Sequence, residues 1–225
     1  FQRGVRRYIK RHRESNTVAA DLWRALSEAA GEGVEIEAVV RPFIERPGFP
    51  LLRITRKQRG GRESLQFSQE RFDAHGPSPA SAGRPRTHTQ TDAAWQLPWV
   101  GRLGVGSARA QRSQLVRHVL KQRTGRLPLA QRSVRYVYGN ADEGGFFRPL
   151  HDPRDLPALI TALPALGVSE RLGFVQHQWA LTRAGYAQLS EFLPLLAASA
   201  DEPEADVLRT LLGPIDHLLD DVAPS

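Results

Sequence analysis

The feature that most constrains this chain is a change in the spacing of its apolar residues, from helical to alternating and back to helical. Over residues 1–46 the repeat is helical: Val18, Leu22, Leu26, Ala29 and Ala30 share one face, with Trp23 beside them. Asn16 or Thr17 is suited to cap that helix, because a short polar side chain accepts from a free first-turn N–H. Gly31 and Gly33 offer the exit. Val34, Ile36, Val39, Val40 and Phe43 predict a second, shorter helix. It must stop at Arg46-Pro47-Gly48-Phe49-Pro50, where two prolines and a glycine remove donors and loosen the backbone.

Beyond this break the period becomes two. Leu52-Arg53-Ile54-Thr55 alternates, as does Ser64-Leu65-Gln66-Phe67-Ser68, and Arg59-Gly60-Gly61-Arg62 between them predicts a hairpin turn. Further strands are expected at 94–98, 99–106, 131–138 and 145–150, a succession that suggests a small β-sandwich over residues 47–151. Residues 107–125 fit a helix or a strand. Residues 74–92 are rich in Pro, Ser, Gly and Ala and predict a mobile loop, since they bury too little apolar surface to offset ordering.

Residues 152–225 return to the helical repeat. Asp152-Pro153-Arg154-Asp155 reads as a helix start. Four stripes follow: Leu156 to Leu163, Leu172 to Trp179, Leu189 to Leu196, and Val207 to Leu219. Short connections suggest antiparallel neighbours. The fold class is therefore mixed α and β: helices in 1–46, a β-sandwich in 47–151 and an all-α part in 152–225.

Composition narrows the functional classes. Hydrophobic residues at 40% and charged residues at 24% suit a soluble globular chain, and no apolar run is long enough to span a bilayer. With no Cys, thiolate ligands and cysteine nucleophiles are excluded. The net charge of +7 invites a nucleic-acid reading, but neither basic run, Arg3–Arg13 or Arg53–Arg62, is interleaved with the several aromatic rings of a base-stacking surface. Nucleic acid is accordingly not the expected partner. The start at Phe1, in a chain without Met, suggests processing or a cut from a longer protein.

The polar residues form no pattern that specifies a catalytic site. No two of His12, His75, His88, His118, His151, His177 and His217 are four apart, so the His-Glu-x-x-His zinc helix is absent. His151 beside Asp152 reads as structural rather than catalytic, and His177 as a packed or surface residue. Gly101-Arg102-Leu103-Gly104-Val105-Gly106 is not a complete dinucleotide fingerprint, and Gly-x-Ser-x-Gly does not occur. The acidic group Asp201, Glu202, Glu204 and Asp206 suits a helix N-terminus better than a metal. No catalytic, cofactor-binding or metal-binding residue is assigned.

Several phrases, in order, resemble the later part of aminopeptidase N-type zinc enzymes, the gluzincin family. Phe1-Gln-Arg-Gly-Val-Arg-Arg-Tyr-Ile, Asn16 and Asp21-Leu22-Trp23 resemble the end of its catalytic domain. Pro42-Phe43-Ile44-Glu45-Arg46-Pro47-Gly48-Phe49-Pro50-Leu51 resembles the Trp-x-x-Gln-Pro-Gly-Phe-Pro hinge, with Phe43 for Trp and Arg46 for Gln. Gln69-Glu70-Arg71-Phe72 and Trp95-Gln96-Leu97-Pro98 resemble paired sandwich strands. The segment from Asn140 to Asp152, with Gly145-Phe146-Phe147-Arg148, resembles the closing strand, from which Pro149 and His151 depart. Residues from Ser169 to Gly185 resemble the opening of the helical C-terminal domain.

The resemblance implies a parent enzyme that removes N-terminal residues from peptides, with zinc held by two His and a Glu upstream of Phe1. This chain would then be inactive by itself. Residues 1–46 would be the helical end of the catalytic domain, 47–151 the β-sandwich and 152–225 the beginning of a larger helical domain that continues past the last residue. The partners implied are the upstream catalytic domain and, through the parent, peptide substrates, in a cytoplasmic setting. A free-standing protein- or peptide-interaction module is the alternative.

Overall fold

The computed structural model describes residues 1–31, 35–77, 94–107, 110–130 and 133–222; His88 and most of the expected loop 74–92 lie outside them. Three helices open the chain: α1 (Gln2–His12), α2 (Ala19–Ala30) and α3 (Ile36–Glu45). Gly4 lets α1 approach α2 closely, since a Cβ there would lie 2.7 Å from Leu26 Cδ2 and 2.9 Å from Leu26 Cα. Arg7 and Arg11 reach across to Glu28, at 3.4 and 3.0 Å. The cap of α2 differs from expectation. Its N-cap is Val18, whose N–H donates to the Asp21 carboxylate at 3.1 Å, while Thr17 Oγ1 lies 2.7 Å from the Tyr8 hydroxyl. An acidic side chain three residues into the helix satisfies the free donor and releases Thr17 for another contact.

Among the described residues seven strands follow: β1 (Pro50–Arg59), β2 (Arg62–Arg71), β3 (Leu97–Ser107), β4 (Ala110–Leu120), β5 (Thr124–Pro128), β6 (Val134–Tyr138) and β7 (Arg148–His151). The β1–β2 hairpin turns on Gly60 and Gly61 with φ of 56° and 73°, the left-handed pair that a two-residue turn requires. Segments 94–98 and 99–106, expected as two strands, are largely one. Pro98 is tolerated near the start of β3, where a missing donor costs least. The ambiguous stretch after Ser107 becomes β4 because it pairs along the whole of β3, from Leu97↔Leu120 to Ser107↔Ala110.

The strands form two sheets, β5-β2-β1-β7 and β4-β3-β6, all pairs antiparallel except β1 with β7. Between them lies one apolar core: Leu52, Ile54, Leu65 and Phe67 from the first sheet meet Leu97, Trp99, Leu103 and Val137 from the second. This is the sandwich that the alternation predicts. Gly101 and Gly104 clear space on β3, since a Cβ would fall 2.2 Å from the Trp99 ring and 2.1 Å from the Tyr136 ring. Segments 69–72 and 95–98, expected to pair, stand in different sheets. The Gln69 side chain joins them by accepting from Trp95 N–H (2.9 Å) and donating to the Trp95 carbonyl (2.8 Å).

Four α-helices come last among the described residues: α4 (Leu156–Thr161), α5 (Val168–Arg183), α6 (Leu189–Ala198) and α7 (Ala205–His217), the last running into a wider turn at Leu218–Val222. α4 begins later than its start signal suggested. Residues 152–155 form a turn closed by Asp155 N–H to Asp152 O at 2.8 Å, and Asp155 is the N-cap. A second core unites Leu156, Leu159, Phe174, Val175, Phe192, Leu195 and Leu211 with Tyr136 and Tyr138 of β6. β6 is thus buried on both faces, with Val137 toward the sandwich and the two tyrosines toward the helices. Leu51 and Leu150 pack on Leu181 and Ala187, so the helices also cover part of the first sheet's outer face.

Candidate functional site

The densest set of buried charges lies where the chain crosses from β6, at the edge of one sheet, to β7, at the edge of the other, against α5. Asn140–Gly145 make this crossing, including a short 3-10 turn at Ala141–Glu143. Asp142 and Glu143 hold φ of 55° and 53°, the left-handed region that costs a non-glycine residue roughly 1 kcal/mol or more. Hydrogen bonds fix them there. Asn140 Oδ1 accepts from Gly145 N–H at 2.8 Å, and Asn140 Nδ2 donates to Gly145 O and to Glu143 Oε2, both at 3.1 Å.

Glu170, near the start of α5, has a relative exposure of 0% yet remains fully partnered. Arg102 Nε donates to its two oxygens at 2.7 and 2.9 Å, and the N–H groups of Asp142 and Gly167 donate at 3.0 Å each. Arg102, on β3, also donates to Asp142 Oδ1 at 2.7 Å and to Ser113 Oγ on β4 at 3.0 Å. One guanidinium therefore joins two strands of the sandwich, the crossing turn and α5. Burial opposes the guanidinium charge, but the Glu170 carboxylate outweighs it and keeps the Arg102 pKa raised.

Glu143 forms the second half of the joint. The Tyr138 hydroxyl donates to it, and His177 Nε2 on α5 lies 2.8 Å from its other oxygen. Burial, reinforced by the nearby Glu143 carboxylate, pushes the Tyr138 pKa well up. Gly173 gives the carboxylate its room, as a Cβ there would sit 2.2 Å from Glu143 Cδ. His151 lies in the same wall, its ring 5.9 Å from both Tyr138 and Phe174, and its Nε2 accepts from Gly139 N–H at 3.0 Å. Burial lowers the His151 pKa from 6.5 to about 3, so the ring is neutral. Asp152 does not pair with it. That carboxylate turns to Arg154, at 2.7 and 2.9 Å, which holds its pKa at about 2.

The structure thus brings His151 and His177 to one wall and scatters the other described histidines. His12 packs on Tyr8, His118 stacks on Phe67, His75 contacts Asp73, and His217 contacts Trp179 and Asp221. Glu202 of the acidic group grips Arg171 with both oxygens at 2.8 Å, and Glu204 stands at the N-cap position of α7 without a side-chain capping bond. Arg102, Tyr138, Glu143 and Glu170 escaped the sequence reading as a set. Glu170 in a helix's first turn and Arg102 between glycines were visible, but nothing in their spacing says that they meet.

These residues do not fit a zinc ion. Among the described residues no group of three or more His, Cys, Asp or Glu side chains is arranged to hold a metal. Glu143 and Glu170 already have their oxygens occupied, and His151 Nε2 is taken by a backbone donor. The arrangement is chemically suited to lock two structural parts at a fixed angle.

At this crossing the strand-rich sandwich meets the helical array through Arg102, Asp142 and Glu170. Residues 136–225 match the model of the ERAP1-like C-terminal domain, which begins inside β6 and so includes the crossing turn. Puromycin-sensitive aminopeptidase from Caenorhabditis elegans is 30% identical over 91% of this chain and 20% of its own length. Aminopeptidase M1-D from Oryza sativa subsp. japonica is 29% identical over 92% of this chain and 22% of its own. The thyrotropin-releasing hormone-degrading ectoenzyme of Rattus norvegicus is 28% identical over 98% and 21%. The chain is related over nearly its whole length to the C-terminal region of M1-family aminopeptidases. It spans about a fifth of the length of the curated relatives it matches.

Proposed function

We propose that this chain is a non-catalytic part of a zinc aminopeptidase that releases N-terminal residues from peptides, and that it sets how the helical part sits over the active-site groove. The observation that carries the positioning role is the Arg102–Glu170 joint, a buried ion pair that ties both the crossing turn and the sandwich to the first turn of α5. Such a joint transmits orientation because either half alone leaves a buried charge unmatched. The boundaries belong to the same reading: residues 1–46 as the end of the catalytic part, 47–151 as the sandwich spacer and 152–225 as the beginning of the helical cover.

The attachment to an upstream catalytic part has its own support. In α1, α2 and α3 the buried residues are Gly4, Ala25 and Leu26, while Phe1, Ile9, Val18 and Ile44 are exposed. Three helices with so thin a core need another surface to cover them. A self-sufficient interaction module would close that face with polar residues. The zinc and its ligands would belong to the catalytic part of the parent, and the parent's cytoplasmic location is part of the proposal. Among the described residues no helix is long and apolar enough to cross a membrane.

The test has two arms. The 225-residue chain and the parent enzyme are assayed on aminoacyl anilides with and without a zinc chelator. The reading expects an inactive chain and a parent whose activity the chelator removes. Hydrolysis by the chain alone, or an upstream reading frame without a His-Glu-x-x-His segment, would overturn it. Deleting the sandwich and helices from the parent is expected to change its peptide-length preference, and an unchanged preference would remove the positioning role.

A further inference from the structure

The basic run Arg53–Arg62, which takes no part in the joint, is sorted by the strand pleat. Arg56 turns to the inner side, where it meets Glu63 and Asp155, both at 3.4 Å, and donates to Val134 O. Arg53, Lys57 and Arg59 alternate with it on β1 and point outward. Across the sheet they stand in rows with Ser68 and Thr124, with Ser64, and with Arg62 respectively, while Arg126 shares the row of Thr55 and Gln66. All five cations are exposed. Arg53, Thr55, Lys57, Gln66, Ser68, Thr124 and Arg126 line an open trough of about 610 Å³ on this face.

From this geometry we infer that the outer face of the β5-β2-β1-β7 sheet binds an extended acidic segment of polypeptide. Among the described outward positions of β1, β2 and β5, Glu70 is the one carboxylate, and it lies at the far end opposite Leu51, where the helices cover the sheet. Arg59 and Arg62 are direct cross-strand partners, a like-charge pairing that destabilises a sheet unless anions stand nearby. Arg53 and Lys57 are about 13 Å apart along β1, and Arg126 is offset by two strands of about 4.8 Å each. Cations so dispersed do not converge on one small anion. An extended chain with acidic residues at alternate positions repeats its carboxylates every 7 Å or so, which matches that row. The hydroxyls and amide of Thr55, Ser68, Thr124 and Gln66 supply hydrogen-bonding partners between the charges. Nucleic acid is disfavoured because the trough offers no exposed ring for stacking: its aromatic wall, Phe67, is 2% exposed and faces the core.

The experiment measures binding of a fluorescein-labelled peptide of alternating Glu and Ser to the full chain by anisotropy, beside a Lys–Ser peptide and an oligothymidine. The acidic peptide should bind, the basic one should not, and affinity should fall with added salt. Combining Arg53→Glu, Lys57→Glu and Arg126→Glu should weaken binding by about tenfold or more. Arg112→Glu, Arg117→Glu and Arg183→Glu together change net charge equally at exposed positions off this face and should weaken it far less. If charge reversal upsets folding, seen by circular dichroism, the Gln substitutions at Arg53, Lys57 and Arg126 replace it, with the same order of effects expected. Equal losses from the two sets, tighter binding of the oligothymidine, or no binding of the acidic peptide would each overturn the inference.

Discussion

Replacing Glu170 by Ala tests the joint most directly. The substitution removes a carboxylate of 0% exposure that receives two bonds from Arg102 and one each from the N–H groups of Asp142 and Gly167. It leaves the Arg102 guanidinium, itself 18% exposed, without its main counter-charge, and orphans two backbone donors. Breaking a buried pair from one side costs about 3–5 kcal/mol, and each unsatisfied donor adds about 1–3 kcal/mol where water cannot reach it. Asp142 still offers Arg102 a carboxylate at 2.7 Å, and the new cavity admits some water. A net loss of about 4 kcal/mol is therefore expected, which for a chain of this size lowers the melting temperature by about 10 °C. The assay is urea unfolding followed by far-UV circular dichroism and tryptophan fluorescence. Removing both charges, as Arg102→Leu with Glu170→Leu, should recover at least half of the loss, because the penalty arises from the charge left behind. A loss below about 1 kcal/mol for Glu170→Ala, or no recovery in the double variant, would refute the account.

His151 is neutral because burial lowers its pKa from 6.5 to about 3. The unfolded chain takes up that proton below 6.5 and the folded one does not until about 3, so stability falls with pH through this window. The unfolding free energy of wild type minus that of His151→Gln, both from urea titrations, should fall by about 1.4 kcal/mol per pH unit below 6.5, and a pH-independent difference would contradict burial of the neutral ring. Gly173→Ala should cost about 2 kcal/mol by pressing on the Glu143 carboxylate, and most of that cost should vanish in a Glu143→Ala background. Arg171→Ala should cost about 3 kcal/mol, since Arg171 binds both oxygens of Glu202 and also Leu166 O, and a loss confined to a few tenths would show the pair to be solvent-screened.

Much of the architecture is legible from residue spacing. The switch of apolar period at Pro47–Pro50, the Gly60-Gly61 turn and the four C-terminal stripes each correspond to an element, because pleat and helix periods are local properties of the chain. The resemblance to aminopeptidases, carried in part by the phrase from Pro42 to Leu51, agrees with the relatives that the chain matches. Tertiary structure decided what pairs with what. β4 could have been helix until its ladder with β3 settled it, and the phrases 69–72 and 95–98 proved to be bridged by one glutamine side chain rather than by strand pairing. β7 begins at Arg148, after the expected start at Gly145, because the Asn140 side chain holds Gly145 in the crossing turn. The joint itself is invisible in the sequence: Arg102 and Glu170 are 68 residues apart. Periodicity tells which face of an element is apolar, but buried charges are paired by packing across the whole fold, and that depends on contacts between segments that no local spacing encodes.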